Sequence, residues 1–588
     1  MSDDVRAAER SGGCGWRPAL VLGATIALKF VLVSHHEIAV KGNDDAGFAA
    51  AGAAGYWGAA YGPYTHVRQP VYPLFLHATS SIGMPARLAI EGVWCLACAV
   101  MMLGLRAAGL KPWPATAVAA ATAIHPWTLS WFDRLAQDGL YAALALMFAV
   151  SIGAAVGGSA RRWRALRWGT LAAASGALAA NTRPEGVLLH IVVAAAVVWV
   201  VVRWRMGGMD SRQFRRRFVA AVVLPLAAMQ GLSWALALKN ENRIGIAATS
   251  DIAMPGLVRL YDALLAIPPP DGVRQHDPRL PIASDVRKLA YAASPTFAGM
   301  REWLDGTRPR VEFERECRRQ TGARGEYGAW TVWAVRAAAW ERRRAEGGAW
   351  NSAGELDAFF GRAADELRAA MREGRLASRS VPVSFVPPEW VRIARALPGS
   401  VLSVVSRLAL VPVERARSPR HLSRLRPLFN SVAVRRAAPA ALVDGDFAGA
   451  RAKGGWWYGD GVVGALSGVE RGLAVVYRGL MVLAMVVAGA GLVLRFMRLV
   501  SWWRHRRSSM SRTHPLTRSL WERGGGPCAV LWTALLGRVM LVGLMDVTGV
   551  PVATRYLLFC PPLIFALAAF SAQAFGTWSP SREPAGRG

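Results

Sequence analysis

Long apolar runs alternate with short basic connectors through the first 240 or so residues and again after about residue 470. A helix needs about 20 mostly apolar residues to cross a hydrocarbon core of about 30 Å. By that measure spans are expected at 18–34, 86–108, 113–131, 139–158, 168–181, 184–202, 218–238, 472–494, 527–545 and 555–575, about ten in all. The pattern predicts an all-α polytopic membrane protein. Between the two apolar blocks, 239–471 mixes charges of both signs and reads as a mostly helical, water-facing domain. The expected organisation is thus 1–238 as a seven-span module, 239–471 as the domain and 472–588 as the C-terminal spans.

Within the polar block, Ser352-Ala353-Gly354-Glu355 has the form of a capping box. Leu356, Phe359, Phe360, Ala363, Leu367 and Met371 then repeat at helical spacing up to Gly374. A second helix is expected over Tyr327–Arg344, although Trp330, Trp333, Val335 and Trp340 do not share one narrow stripe. The run Trp390–Val413 is nearly long enough to span, but Arg392, Arg395 and Arg407 favour a helix lying at the interface.

Composition agrees with several spans plus one sizeable polar part: the 588 residues are 53% hydrophobic, with mean hydropathy +0.25 and 24 Trp. The net charge of +31 raises nucleic acid as a partner. Its placement argues against that. Arg161, Arg162, Arg164 and Arg167, then Arg203, Arg205, Arg212 and Arg215 to Arg217, and Arg504, Arg506 and Arg507, fall on alternate connectors, as the positive-inside rule requires. Both termini are then cytoplasmic, and 34–85, 132–138, 182–183, 239–471 and 546–554 lie outside. The Ala- and Arg-rich composition fits a bacterial source, and the expected location is the cytoplasmic (inner) membrane. Pro18–Ser34 is followed by no A-x-A-like site and reads as a retained span. Of six cysteines only Cys317 lies in the polar block, which excludes an internal disulfide framework there; Cys95 and Cys98 sit in an apolar span and read as packing residues.

Chemistry is concentrated in the first outer loop. Residues 34–76 hold the adjacent carboxylates Asp44 and Asp45 and the segment Arg68-Gln69-Pro70-Val71-Tyr72-Pro73. His35, His36, His66 and His77 match no compact zinc spacing and are expected in interfacial hydrogen bonds. Tyr56, Trp57, Tyr61, Tyr64 and Tyr72 are expected to form an aromatic belt at the membrane surface. The 168–181 span is only about 21 Å long at about 1.5 Å per residue, so Thr182-Arg183-Pro184-Glu185-Gly186 should sit below the surface, covered by protein or lining a cavity. Arg183 beside a helix start is an electropositive spot suited to phosphate.

Several of these stretches resemble the glycosyltransferase C superfamily, membrane enzymes that take sugars from polyprenyl phosphates, of the protein mannosyltransferase and aminoarabinose transferase type. Asp44-Asp45-Ala46-Gly47-Phe48 resembles its Asp-Glu-x-x-Tyr pattern, and Arg68-Gln69-Pro70-Val71-Tyr72-Pro73-Leu74 its Arg-Pro-Pro-Leu-Tyr-Pro segment. Thr182-Arg183-Pro184-Glu185-Gly186 and Arg555-Tyr556, with Pro561 and Pro562 beyond, resemble two more signatures. In the second outer loop, where relatives show Ser-Glu, this chain has Asp133-Arg134-Leu135-Ala136-Gln137-Asp138, so either Asp138 or Asp133 is the counterpart. The likeness covers 18–205 and, loosely, the last spans.

The resemblance implies an inverting transfer of sugar from a polyprenyl-phosphate donor to a hydroxyl of a lipid, polysaccharide or protein. Such a substitution needs a carboxylate base and positive charge on the departing phosphate. Asp44 takes the base's place, Asp45 orients substrate or binds a divalent cation, and Asp138 is a further catalytic candidate. Arg68, Tyr72, Arg183, Glu185, Arg555 and Tyr556 become the substrate-binding candidates. No other cofactor is indicated. The competing expectations are a lipid-linked sugar transporter, against which mostly clean spans speak, and a non-catalytic envelope assembly subunit.

Overall fold

The computed structural model describes residues 16–33, 47–48, 51–52, 54–58, 60–63, 66, 68–84, 86–132, 135–157, 162–206, 209–270, 277, 279–306, 311–381, 388, 390–411, 460–508, 525–548 and 554–576. Among these, every regular element is a helix, and eight helices are long and apolar enough to cross a membrane. A shorter apolar helix, Cys560–Ala574, adds to them. The all-α polytopic expectation therefore holds.

One expected span and one expected interfacial helix take a different form. The run 113–131 is broken into Pro112–Ala123 and Pro126–Trp131. Pro126 causes the break: the residue before a proline avoids helical geometry, and His125 is indeed extended at φ −59, ψ 130. Its Nδ1 then caps the second piece by accepting from the Trp127 N–H at 3.3 Å. The 390–413 run, expected at the interface, instead packs lengthwise on Gly525–Val547. A Cβ on Gly543 would meet Val401 at 3.0 Å, Ser400 donates to the Asp546 carboxylate at 2.6 Å, and Val404 and Leu408 are buried. Its arginines at 395 and 407 stay exposed, off the packed face, which is how a helix with that charge joins the bundle.

Contacts at the helix ends fix the up-and-down order. At the end carrying the basic connectors, Arg217 donates to the Val156 carbonyl, Lys111 N–H to Gln573 Oε1 at 3.0 Å, and a Cβ on Gly169 would lie 2.5 Å from the Ala220 oxygen. The missing side chain at Gly169 is what lets those two helices touch. At the opposite end Val71 N–H donates to the Asn181 carbonyl at 3.3 Å, and Ser233 to Asn181 Oδ1 at 3.0 Å. The first loop and the polar domain both join this second end. The helix Arg162–Ala180 has 19 residues and begins before the 168–181 apolar run, so the expected shortness is not observed, yet Asn181, Thr182 and Arg183 at its end are all buried.

The polar block has its own core, built mainly where Pro255–Ala266 meets Ala353–Arg372 through Leu260, Leu264, Leu356, Phe360 and Leu367. The Ser352 half of the capping box forms, Glu355 N–H donating to Ser352 Oγ at 3.1 Å, while the Glu355 carboxylate accepts from the N–H of Asn351, one residue before the cap, at 2.9 Å. Gly374, at φ +73, ends the helix in the left-handed conformation that favours glycine. The second helix runs Thr331–Ala345. Val335, Ala338 and Ala339 face the domain core. Trp333, Arg336 and Trp340 contact the first loop, which is why its tryptophans fit no single stripe.

Candidate functional site

Three stretches far apart in sequence meet at the loop end of the bundle. Asp138 opens the helix Asp138–Gly157; Arg183 and Glu185 occupy the turn after Arg162–Ala180; Tyr556 lies in the turn Thr554–Leu557. Arg183 donates from Nη1 to Asp138 Oδ1 and from Nη2 to Glu185 Oε1 at 2.6 Å. The second oxygen of Glu185 accepts from Arg538 Nη1, and Arg538 Nε donates to the Tyr556 carbonyl at 2.6 Å. The result is a chain of alternating charge, Asp138–Arg183–Glu185–Arg538, tying three spans together.

The chain is almost entirely buried, which is tolerable only because two carboxylates face two guanidiniums. Aromatic rings fix the orientation of Arg183, whose Cζ lies 5.1 Å from the Tyr556 ring centre and 5.8 Å from that of Tyr141. Arg183 Nε is buried and makes no hydrogen bond. The electropositive spot expected at Arg183 is thereby corrected: its charge is matched by Asp138 and Glu185.

The other candidates lie elsewhere. Arg68 stands 4.4 Å from the ring centre of Trp333, against the polar domain. Tyr72 is fully buried, edge-on to Phe48 at 5.0 Å, and forms part of the bundle core. Arg555 lies in the same turn as Tyr556, its side chain outside the described residues, and Asp44, Asp45, Asp133, His35, His36 and Tyr64 lie outside them altogether. The aromatic belt is overturned for Tyr56, Tyr61 and Tyr72, which are buried within protein. Tyr56 donates to the Arg68 carbonyl at 3.0 Å, and Trp57 Nε1 to Asn240 Oδ1 at 2.7 Å. His77 meets the Gly52 carbonyl at 3.1 Å, a structural bond. Cys95 and Cys98 are buried free thiols, as packing residues should be. Among the described residues no group of His, Cys, Asp and Glu is placed to hold a metal.

Sequence reasoning missed Arg538 and Tyr141. For Arg538 a signal existed, a lone arginine inside an apolar run, which in a membrane helix marks a buried partner. The expectation of clean spans fails in the same way at a second place. Lys29, Arg87 and Glu91 are buried between the first two long helices, with Glu91 3.1 Å from Lys29 Nζ and 2.7 Å from Arg87 Nη2. Lys29 also donates to Thr128 at 2.7 Å.

No protein-family model matches the chain, and no curated protein matches it. Two solved structures are similar to it. ArnT from Cupriavidus metallidurans bound to undecaprenyl phosphate is 14% identical, with 96% of this chain and 78% of that one covered, at a TM-score of 0.31. The same protein in the apo state is also 14% identical, with 95% and 78% covered, at 0.31. A TM-score at that level establishes neither a shared fold nor a shared activity.

Proposed function

We propose that the chain is a membrane glycosyltransferase that moves a sugar from a polyprenyl-phosphate donor to an acceptor hydroxyl, on the outer face of a bacterial inner membrane. The observation that supports this reading is the convergence of Asp138, Arg183, Glu185 and Tyr556. They come from separate signature-like stretches and meet in one buried chain at the end that carries the first loop. The sidedness follows from the basic connectors at the opposite end.

In this reading the acceptor oxygen attacks the anomeric carbon, its proton passes to the Asp44 carboxylate, and the sugar–phosphate bond breaks with its electron pair leaving on the phosphate. Asp138 is already engaged by Arg183, so it serves to hold that guanidinium rather than to take the proton. Arg183, clamped between two carboxylates and two tyrosine rings, is the guanidinium placed to meet the departing phosphate, and its buried Nε–H must be uncovered for that contact. The buried Lys29–Glu91–Arg87 group favours a transporter, since ionisable groups inside spans mark transport pathways.

The deciding experiment is label transfer from a panel of polyprenyl-phosphate sugars by purified protein in lipid, with a membrane extract as acceptor, comparing wild type and Asp44→Asn. Transfer by wild type and none by the variant is the expected result. Equal transfer by both would move the base elsewhere, and label crossing sealed vesicles without transfer would establish the transporter.

A further inference from the structure

The end of the bundle that carries the basic connectors has a charged surface that the transfer chemistry leaves unused. Residues 203–217 hold six arginines, Arg203, Arg205, Arg212 and Arg215 to Arg217, against one acid, Asp210. The Asp210 carboxylate caps the next helix, accepting from the Gln213 N–H at 2.7 Å. That helix, Ser211–Phe218, continues through Val219–Val223 and Leu224–Ile244 as one helical run of 34 residues. A hydrocarbon core of about 30 Å takes up about 20 of them, so the first turns stand at headgroup depth.

At about 100° per residue, Arg212, Arg215 and Arg216 fall on one face of Ser211–Phe218, and Phe214, Arg217 and Phe218 on the opposite one. The packing follows that division. Arg212 and Arg215 are exposed and Arg216 is half-buried. Phe214 stacks on Trp204 with ring centres 4.6 Å apart and on Phe218 at 5.7 Å, while buried Arg217 donates to the Val156 carbonyl. The positive-inside rule asks for cations at this end, but not for three on one helical face with no acid among them. Arginines three and four residues apart are neighbours on a helix and repel, and no Asp or Glu stands three or four positions from any of these three. The Trp204–Phe214 stack also brings up the end of Val187–Arg205, which adds exposed Arg205. An anion lying on this face removes the repulsion. At headgroup depth the abundant anion is a lipid phosphodiester, which guanidiniums grip through parallel hydrogen bonds. Trp204, 40% exposed, stands beside it as interfacial tryptophans do.

We propose that Arg212, Arg215 and Arg216, with Arg205, form a docking site for the headgroup of an anionic phospholipid. Its place in the cytoplasmic leaflet rests on the sidedness argued above; the binding rests neither on that nor on the transferase reading.

The test is native mass spectrometry of the full-length protein released from nanodiscs of phosphatidylcholine mixed with cardiolipin or phosphatidylglycerol, counting the lipids retained. Thermal unfolding in phosphatidylcholine alone checks that each sample is folded. Wild type is compared with Arg212→Gln/Arg215→Gln/Arg216→Gln and with Arg504→Gln/Arg506→Gln/Arg507→Gln, which removes the same charge from another basic connector. Wild type should retain the anionic lipid over phosphatidylcholine, the first triple variant should bind it about tenfold more weakly or worse, and the second should match wild type. Equal loss in both triple variants overturns the site in favour of diffuse attraction, and undiminished retention by the first overturns it outright. No preference for anionic lipid in wild type also overturns it and leaves the face to an acidic protein. Should the first triple variant unfold, Arg212→Gln alone, at an exposed position, decides the matter: a loss of about fivefold supports the site and none overturns it.

Discussion

The two polar clusters at the loop end are built on opposite plans. In the Asp138–Arg183–Glu185–Arg538 chain positive and negative charges balance, both Glu185 oxygens are engaged, and the links run between spans. In the seam around Asp251 and Arg336 the links run from a loop to a domain, and aromatic rings supply much of the contact. The first plan fixes a guanidinium in one geometry inside a low-dielectric bundle, where an unbalanced charge would be expelled. The second holds a loop to a domain through one buried ion pair and a set of ring contacts.

Breaking the balanced chain should therefore cost most. Glu185→Gln leaves Arg183 and Arg538 without the carboxylate they share, and the expected loss is about 3 to 5 kcal/mol in thermal unfolding of the protein in detergent. Unfolding like wild type would mean that the chain does not couple these spans.

The seam should respond to pH through His66. Burial pushes His66, packed on Tyr56 and Tyr61, down from 6.5 to about 4. The released loop takes up a proton near 6.5 and the docked one only near 4. The seam's stability is thus complete above pH 6.5 and falls as pH drops, by on the order of 3 kcal/mol at pH 4. Burial raises the Asp251 carboxyl against the pull of Arg336, which acts in the opposite sense. Comparison with His66→Asn isolates the histidine, asparagine being tolerant of the positive φ of 60° at this position. Protease release of the polar domain, followed from pH 7 to 4, should steepen in wild type and stay flatter in the variant; identical profiles would remove His66 from the seam.

A smaller effect sharpens the same contrast. Trp57→Phe keeps the ring but leaves Asn240 Oδ1 without its donor, and should loosen the docked loop by about 1 kcal/mol, read as faster hydrogen exchange at 54–58. Exchange at Asn181 and Thr182 should not change.

Much of this was legible in sequence, and the misses have physical causes. Apolar length and basic connectors gave the bundle and its order, and the Ser352 box and Gly374 marked one domain helix at both ends. Arg183 is inside protein as expected, although the helix before it has 19 residues and is not short. What sequence did not reveal was pairing. Arg183 looked electropositive because Asp138, 45 positions earlier, and the far end of the chain were not known to face it. Arg538 was hidden because one charge scarcely lowers the hydropathy of a 23-residue helix. The loop tyrosines were read as surface aromatics because a tyrosine under a docked domain and one under lipid headgroups have the same neighbours in sequence. The Pro126 break was visible but outweighed by the apolar run around it.

The central claim is that the balanced chain holds Arg183 for the donor's phosphate. Binding of a polyprenyl phosphate to the protein in nanodiscs tests it most directly, with wild type, Arg183→Lys and Arg68→Lys compared. Lysine keeps the charge that Asp138 and Glu185 need but has no Nε–H donor in a planar fork. The account predicts binding by wild type, a loss of about tenfold or more in Arg183→Lys, and little change in Arg68→Lys, which faces Trp333. Equal affinity for wild type and Arg183→Lys, with both samples folded, would contradict it.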